Sequence, residues 1–195
     1  MRLERLTRGH VLAAVAALAL LLTMAMVWYG SKEADLAHQA ESNALTTGGE
    51  GGEVGRAIQS DARTIIARDE KNAWQESARI DRVLLVALLL TVALPLVAAT
   101  LRADGRRFEP PWTPAFFAAL SAAATALLVA YRIVQEPGPD SKTTIKLGPP
   151  LALGLLALIG IGSAYAFQKE ADWAELRRAA RTPPAPEPDE PEPAP

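Results

Sequence analysis

The chain has 195 residues, half of them hydrophobic and 22% charged, with 20 basic and 22 acidic side chains for a net charge of -2. That balance lacks the concentrated basic surface of a nucleic-acid binder. The absence of cysteine excludes disulfide staples, thiol catalysis and Cys-based metal sites. Apolar and charged residues are segregated into blocks along the chain, the pattern of membrane spans and solvent-facing connectors.

Segment 1–10 is a basic lead-in carrying Arg2, Arg5 and Arg8. Four apolar stretches follow in the chain, Val11–Tyr29, Val83–Leu101, Ala115–Tyr131 and Leu147–Phe167, none with an Asp, Glu, Lys or Arg. About 20 residues at ~1.5 Å rise cross the ~30 Å hydrocarbon layer, so each stretch is long enough to span it. The spans predicted are 11–29, 83–101, 115–134 and 147–167, the third extended past Tyr131 to take in Arg132. A signal-peptide core is ~7–15 residues long. The first stretch exceeds that and ends in Trp28-Tyr29, without a small-x-small cleavage site. It is expected to be an uncleaved helix with Trp28 and Tyr29 as interfacial anchors.

In the 30–82 loop, residues 31–45 are mostly good helix formers and are expected to continue the first helix. Gly48-Gly49-Glu50-Gly51-Gly52 supplies a hinge. From Gly55 to Gln75 the pattern is helical again, with Ile58, Ala62, Ile65 and Ile66 as a narrow apolar stripe. That helix is expected to lie over the ends of the bundle, with Trp74 as an anchor near the membrane.

The second span contains Pro95, which lacks an N–H and clashes with the carbonyl of Thr91, so a kink that shapes packing is expected. Loop 102–114 carries Arg106-Arg107 and then Pro110-Pro111-Trp112-Thr113-Pro114. This stiff turn places Trp112 at the interface and Pro114 at the start of the third span. Ala118, Ala122, Ala126 and Ala130 recur at intervals of four in that span, a small-residue stripe expected to face the fourth. The fourth span repeats the theme with Gly148/Ala152, Gly160/Ala164 and Gly162/Ala166. Thr182–Pro195, in the 168–195 tail, is almost wholly Pro, Ala, Glu and Asp and is expected to be disordered.

Lys and Arg in the short segments divide ten against two: 1–10, 102–114 and 168–195 on one side, loop 135–146 with Lys142 and Lys146 on the other. Both termini are therefore expected in the cytoplasm and the 30–82 loop outside. That loop holds seven basic residues but also ten acidic ones, and it is long enough to translocate.

The search for chemistry finds no catalytic residue, cofactor or metal site. His10 and His38 have no partner at metal-ligand spacing, and G-x-S-x-G, H-E-x-x-H and phosphate-loop patterns are absent. No Asp or Glu lies near mid-span, where proton relays and ion-coupled transporters place them. The intramembrane polar groups are Thr23, Thr91, Ser121, Thr125 and Ser163. One constellation stands out: Asp81 opens the second span and Tyr131-Arg132 closes the third, so an ion pair at the outer boundary is expected.

Trp28-Tyr29-Gly30, Asn72-Ala73-Trp74, Ile80-Asp81, and Tyr131-Arg132-Ile133 followed by Pro137-Gly138-Pro139 are short motifs whose order relative to the spans is specific. In these the chain resembles an uncharacterised family of small actinobacterial four-span integral membrane proteins, over about residues 8–168. It departs from that pattern in the polar stretch Gln75–Arg79. The resemblance implies the topology and no activity. The span order also resembles claudin-type junction proteins, without their tryptophan–cysteine signature.

The fold expected is all-α: a four-helix transmembrane bundle with a partly helical extracytoplasmic loop and a disordered C-terminal tail, in the bacterial plasma membrane. The role expected is non-enzymatic, a structural, scaffolding or accessory subunit of the cell envelope. The alternative is a subunit of a small-molecule or lipid transporter or channel, and an enzyme acting on lipid is a third class. The partners expected are the lipid bilayer and either a membrane protein or a second copy, with no nucleic acid.

Overall fold

A computed structural model describes residues 4, 6–47, 53–74, 79–106, 108, 112–135 and 143–181. The expected Gly48–Gly52 hinge, the 75–78 segment, Pro137–Pro139 and the Thr182–Pro195 tail lie outside the described residues.

Helix α1 (Arg8–Thr23) opens on Thr7, whose extended backbone and hydroxyl cap the His10 amide. It is 16 residues long, not the 19 expected of a first span. Its last bonds shorten from four-residue to three-residue steps, Ala25 to Leu22 and Met26 to Thr23. The chain then enters strand β1 (Val27–Ser31). Val27, Trp28 and Tyr29 are β-branched or aromatic, residues that suit a pleated backbone better than a helix end. A sheet in this position corrects the all-α expectation, and residues 31–45 do not continue α1.

Helix α2 (Lys32–Thr47) is instead started anew by Ser31, whose hydroxyl accepts from the Ala34 amide at 3.0 Å. Helix α3 (Glu53–Asp69) returns antiparallel to it, as shown by Arg63 on Glu41 (2.8 Å) and Ser31 on Asp69 (2.8 Å). Strand β2 (Lys71–Asn72) and strand β3 (Thr143–Ile145) flank β1 in the antiparallel order β2-β1-β3. Tyr29 faces Ile145 in register and Gly30 faces Thr144.

Among the described residues three helices are long and apolar enough to cross a membrane: α4 (Arg79–Ala103), α5 (Pro114–Val134) and α6 (Gly148–Arg181). Helix α4 remains one helix through Pro95, which is fully buried. Helix α5 begins on a Thr113 cap with Pro114 in its first turn, as the sequence leads one to expect. Helix α6 does not end at Phe167 but continues to Arg181, so residues 168–181 are helix and not tail.

Helices α1, α4, α5 and α6 pack in a ring, each against its two neighbours. The core holds Leu20, Met24, Trp28, Leu88, Val129, Leu156 and Ile159. The ring is apolar on its outside too: Val15 and Leu22 on α1, Val86 and Leu90 on α4, Leu127 and Val134 on α5 and Ile161 on α6 are all exposed. On α4, α5 and α6, which are long enough to cross a membrane, an apolar outer face suits a bilayer, because water offers such a surface no partner.

The alanine stripe of α5 is only half as expected. Ala118 and Ala122 are buried, while Ala126 and Ala130 are half-buried. The buried positions are Ala115, Ala118, Ala122, Thr125, Val129 and Arg132, stepping by three and four. Strict steps of four advance about 400°, so such a stripe drifts off the contact face by ~40° per step.

Candidate functional site

Side chains capable of charged or hydrogen-bonded chemistry gather at the end of the ring that carries the sheet. Asp81, in the first turn of α4, and Arg132, in the last turn of α5, meet at 2.8 Å between Oδ1 and Nη2. Both are largely withdrawn from solvent, at 15% and 10% side-chain exposure, where little water competes for the pair. Each sits at the helix end whose dipole favours its charge, an acid at an N-terminus and a base at a C-terminus. The Arg132 guanidinium also lies over the Tyr29 ring, 5.9 Å from its centroid. Its Nε is buried without a hydrogen-bond partner.

Trp28 corrects a second expectation. It is 1% exposed and forms no interfacial belt. Its Nε1 donates to the Thr23 carbonyl at 2.8 Å, a second bond to the acceptor that the Met26 amide also reaches. The indole packs on Gly148, where an added Cβ would stand 2.5 Å from Cδ1. The β1 alternation explains the placement: Trp28 and Gly30 turn inward while Val27, Tyr29 and Ser31 are half-buried. Tyr29 is therefore a wall of the Arg132 site. Trp74 and Trp112 remain exposed, at 42% and 69%, the latter stacked on Phe117.

The sheet and the α2–α3 hairpin are fastened to this end. Lys146, just after β3, pairs with Asp35 on α2, and the Lys146 amide donates to the Trp28 carbonyl at 3.1 Å. Ser31 ties α2 to Asp69 at the end of α3, and His38 meets Glu70 at 2.8 Å. The Arg68 guanidinium and then the Ser31 hydroxyl hold the Asp69 carboxyl below its ordinary range. A depressed carboxylate contributes stability that is present above its unfolded value and lost as the pH falls through the folded one. Acid therefore loosens this joint.

Farther into the ring, three hydroxyls converge. Thr91 Oγ1 on α4 stands 2.7 Å from Ser121 Oγ and 2.8 Å from Thr125 Oγ1 on α5, and bonds the Ala87 carbonyl at 2.8 Å. Each is thus satisfied by the others or by backbone. Thr23 turns back on the Leu20 carbonyl. Among the described residues no group of three or more His, Asp or Glu side chains could hold a metal ion.

Sequence reasoning brings Asp81 and Arg132 to the same depth, and the structure brings them into contact. It gives no signal for Tyr29 against Arg132 or for Lys146 with Asp35, because both depend on strand pairing across more than 100 residues. The aromatic–β-branched run Val27-Trp28-Tyr29 was the available signal for a strand. No family model, curated protein or solved structure matches this chain.

Proposed function

We propose that this chain is a four-span protein of the bacterial plasma membrane, both termini cytoplasmic, acting as a non-enzymatic scaffold or accessory subunit. Its role in this reading is to present the α2–α3 hairpin and the sheet outside the cell. The observation that carries it is the fastening of that cap to the bundle. β1 follows α1 directly, Trp28 is wedged under Gly148, and Lys146–Asp35 joins β3 to α2. A presenting surface needs a fixed attitude, and these contacts supply one.

Two further observations support the topology. The outward face of α1 is as apolar as those of the three longer helices. At about 24 Å it is short for the hydrocarbon layer, and β1 extends it with a backbone hydrogen-bonded on both edges, the condition for non-helical chain at that depth. Exposed Trp112, just before the Thr113 cap of α5, and exposed Tyr131, in its last turn, flank the two ends of that helix, as two aromatic belts do. The motifs in which the chain resembles the four-span family, Trp28-Tyr29, Asn72-Ala73, Asp81 and Arg132, lie in or beside the sheet end. The scaffolding role is favoured over transport by the mutual hydrogen bonding of Thr91, Ser121 and Thr125, which commits their protons within the bundle and leaves none to offer a solute.

The test is isolation of the tagged chain from its own membranes in mild detergent, beside a variant with Leu36→Arg and Trp74→Arg on the exposed cap. A membrane partner present in stoichiometric amount with the parent and lost from the folded variant is the expected result. A chain that purifies alone and conducts solutes in vesicles overturns the scaffold in favour of a transport subunit. A reporter active only in the cytoplasm should signal when fused after Arg181 and stay silent near Gly52; the reverse overturns the orientation.

A further inference from the structure

The two ends of the helical ring treat their cations differently. At the sheet end they are matched within the chain, Arg132 by Asp81, Lys146 by Asp35 and Arg68 by Asp69. At the opposite end Arg8, Arg102 and Arg106 make no hydrogen bond or ion pair among the described residues. Arg102 differs from the other two, because it is half-buried in the last turn of α4 and its Nε is closed off without a partner. The backbone around it is fixed. Gly105, at φ 83°, lets its own amide reach the Arg102 carbonyl and the Arg106 amide reach the Leu101 carbonyl, both at 3.0 Å. Arg106 is thereby held close behind Arg102, with its side chain exposed. Asp104, between them, is exposed and pairs with neither.

We propose that Arg102, with Arg106 beside it, holds the phosphate of an anionic membrane lipid. The proposal rests on α4 as a membrane span, and on neither the orientation nor the scaffolding role. Depth is its first support. From Asp81 to Arg102 the single helix α4 rises about 31 Å, which sets the two at opposite edges of a ~30 Å hydrocarbon layer. Exposed Trp112, on the connection from α4 to α5, suits the headgroup level at the Arg102 edge. A half-buried guanidinium with no carboxylate is costly unless an anion reaches it from outside the chain. Headgroup phosphate is the anion that a bilayer holds at that depth. Burial fixes the Nε edge of Arg102 and leaves its Nη groups for a ligand, where a guanidinium can meet two phosphate oxygens at once. Helices α1 and α5 both begin at this end, so their dipoles add to the positive field. Basic side chains seated between spans are a recurring form of lipid-headgroup site.

The experiment is thermal unfolding of the full chain in neutral detergent, titrated with phosphatidylglycerol, phosphatidylcholine or inorganic phosphate. The variants are Arg102→Gln, Arg106→Gln and Arg177→Gln, the last removing the same charge from the extension of α6. Phosphatidylglycerol should raise the parent midpoint by roughly 3–6 °C at about ten times half-saturation. Arg102→Gln should need about tenfold more lipid for the same rise and Arg106→Gln about fivefold more, while Arg177→Gln should follow the parent. An equal rise with phosphatidylcholine would mean a site blind to lipid charge, and one with inorganic phosphate a soluble ligand; either overturns the proposal. So does an unchanged response in Arg102→Gln or Arg106→Gln, or an equal loss in Arg177→Gln, which would mean diffuse attraction to net charge. Should Arg102→Gln fail to fold, Arg102→Lys decides, because it keeps the charge and loses the planar fork. A severalfold weaker response then supports the site, and an unchanged one overturns it. An alkaline carbonate wash separates the two possible failures. A chain that washes out of its membranes defeats the span itself, whereas an integral chain indifferent to phosphatidylglycerol defeats only the lipid site.

Discussion

Two seams hold the ring together by opposite means. Along α1–α6 the chain removes side chains: Gly9 lies so close to Gly162 that an added Cβ would stand 2.4 Å from its carbonyl oxygen, and Ala13 and Ala166 continue the contact. Along α4–α5 it adds polar groups, with Asp81–Arg132 at one end and the Thr91–Ser121–Thr125 cluster farther in. The first seam gains from dispersion between backbones, which water and lipid cannot replace once the helices part. The second gains from directional bonds whose partners have nowhere else to go. The first should therefore be intolerant of volume, and the second intolerant of losing a partner.

The largest effect should come from the ion pair. Removing one member strands the other in a poorly hydrated place, so Asp81→Ala and Arg132→Ala should each cost about 3 kcal/mol or more. The double variant should lose less than the sum of the two, by a coupling of roughly 1–3 kcal/mol in a detergent unfolding cycle. Strict additivity would mean that the two charges act independently despite their 2.8 Å contact.

Next comes the small-residue seam. Gly9→Ala or Gly162→Ala should cost near ~3 kcal/mol, the upper end of overpacking, because the obstructing atoms are backbone and cannot rotate away. The same assay reads it. A neutral result at both positions would show that α1 can shift along α6 freely, and the contrast between the seams would dissolve.

How much of this was legible beforehand follows from the range of the interactions. Local rules fix a Thr113 cap before Pro114, and they give each apolar stretch its approximate bounds. The depth of Asp81 and Arg132 follows from span length alone. The sheet was hidden because β1 pairs with β2 and β3, roughly 45 and 115 residues away, and a five-residue strand adjoining an apolar helix reads as its last turn. The same concealment assigned Trp28 to the interface. The helix over 168–181 was hidden because α6 was expected to end at Phe167, which put those residues in a tail.

Ala122→Leu should be milder than either glycine change, at ~1–3 kcal/mol. Ala122 faces α6 across ordinary contact, 3.8 Å from where a Cβ on Gly160 would stand, so neighbouring side chains can yield. Ala126→Leu should cost less still, because Ala126 is half-buried and flanks the contact face. Equal costs at the two positions would mean that α5 is rotated from the placement described.

The smallest effect should be at the hydroxyl cluster, and it sharpens the comparison most. Thr91→Val keeps shape and volume, so it removes only the bonds to Ser121, Thr125 and the Ala87 carbonyl. Interhelical hydrogen bonds in membrane proteins average about 0.6 kcal/mol, because the separated helices also find partners. Thr125 retains its own bond to the Ala87 carbonyl at 3.3 Å, and Ser121 can turn back on its helix. Thr91→Val should therefore cost well under 1 kcal/mol, less than about a third of either ion-pair variant. Should it match the loss of Arg132 instead, the three hydroxyls would be acting as one cooperative network, and the α4–α5 seam would be held at its middle more than at its end.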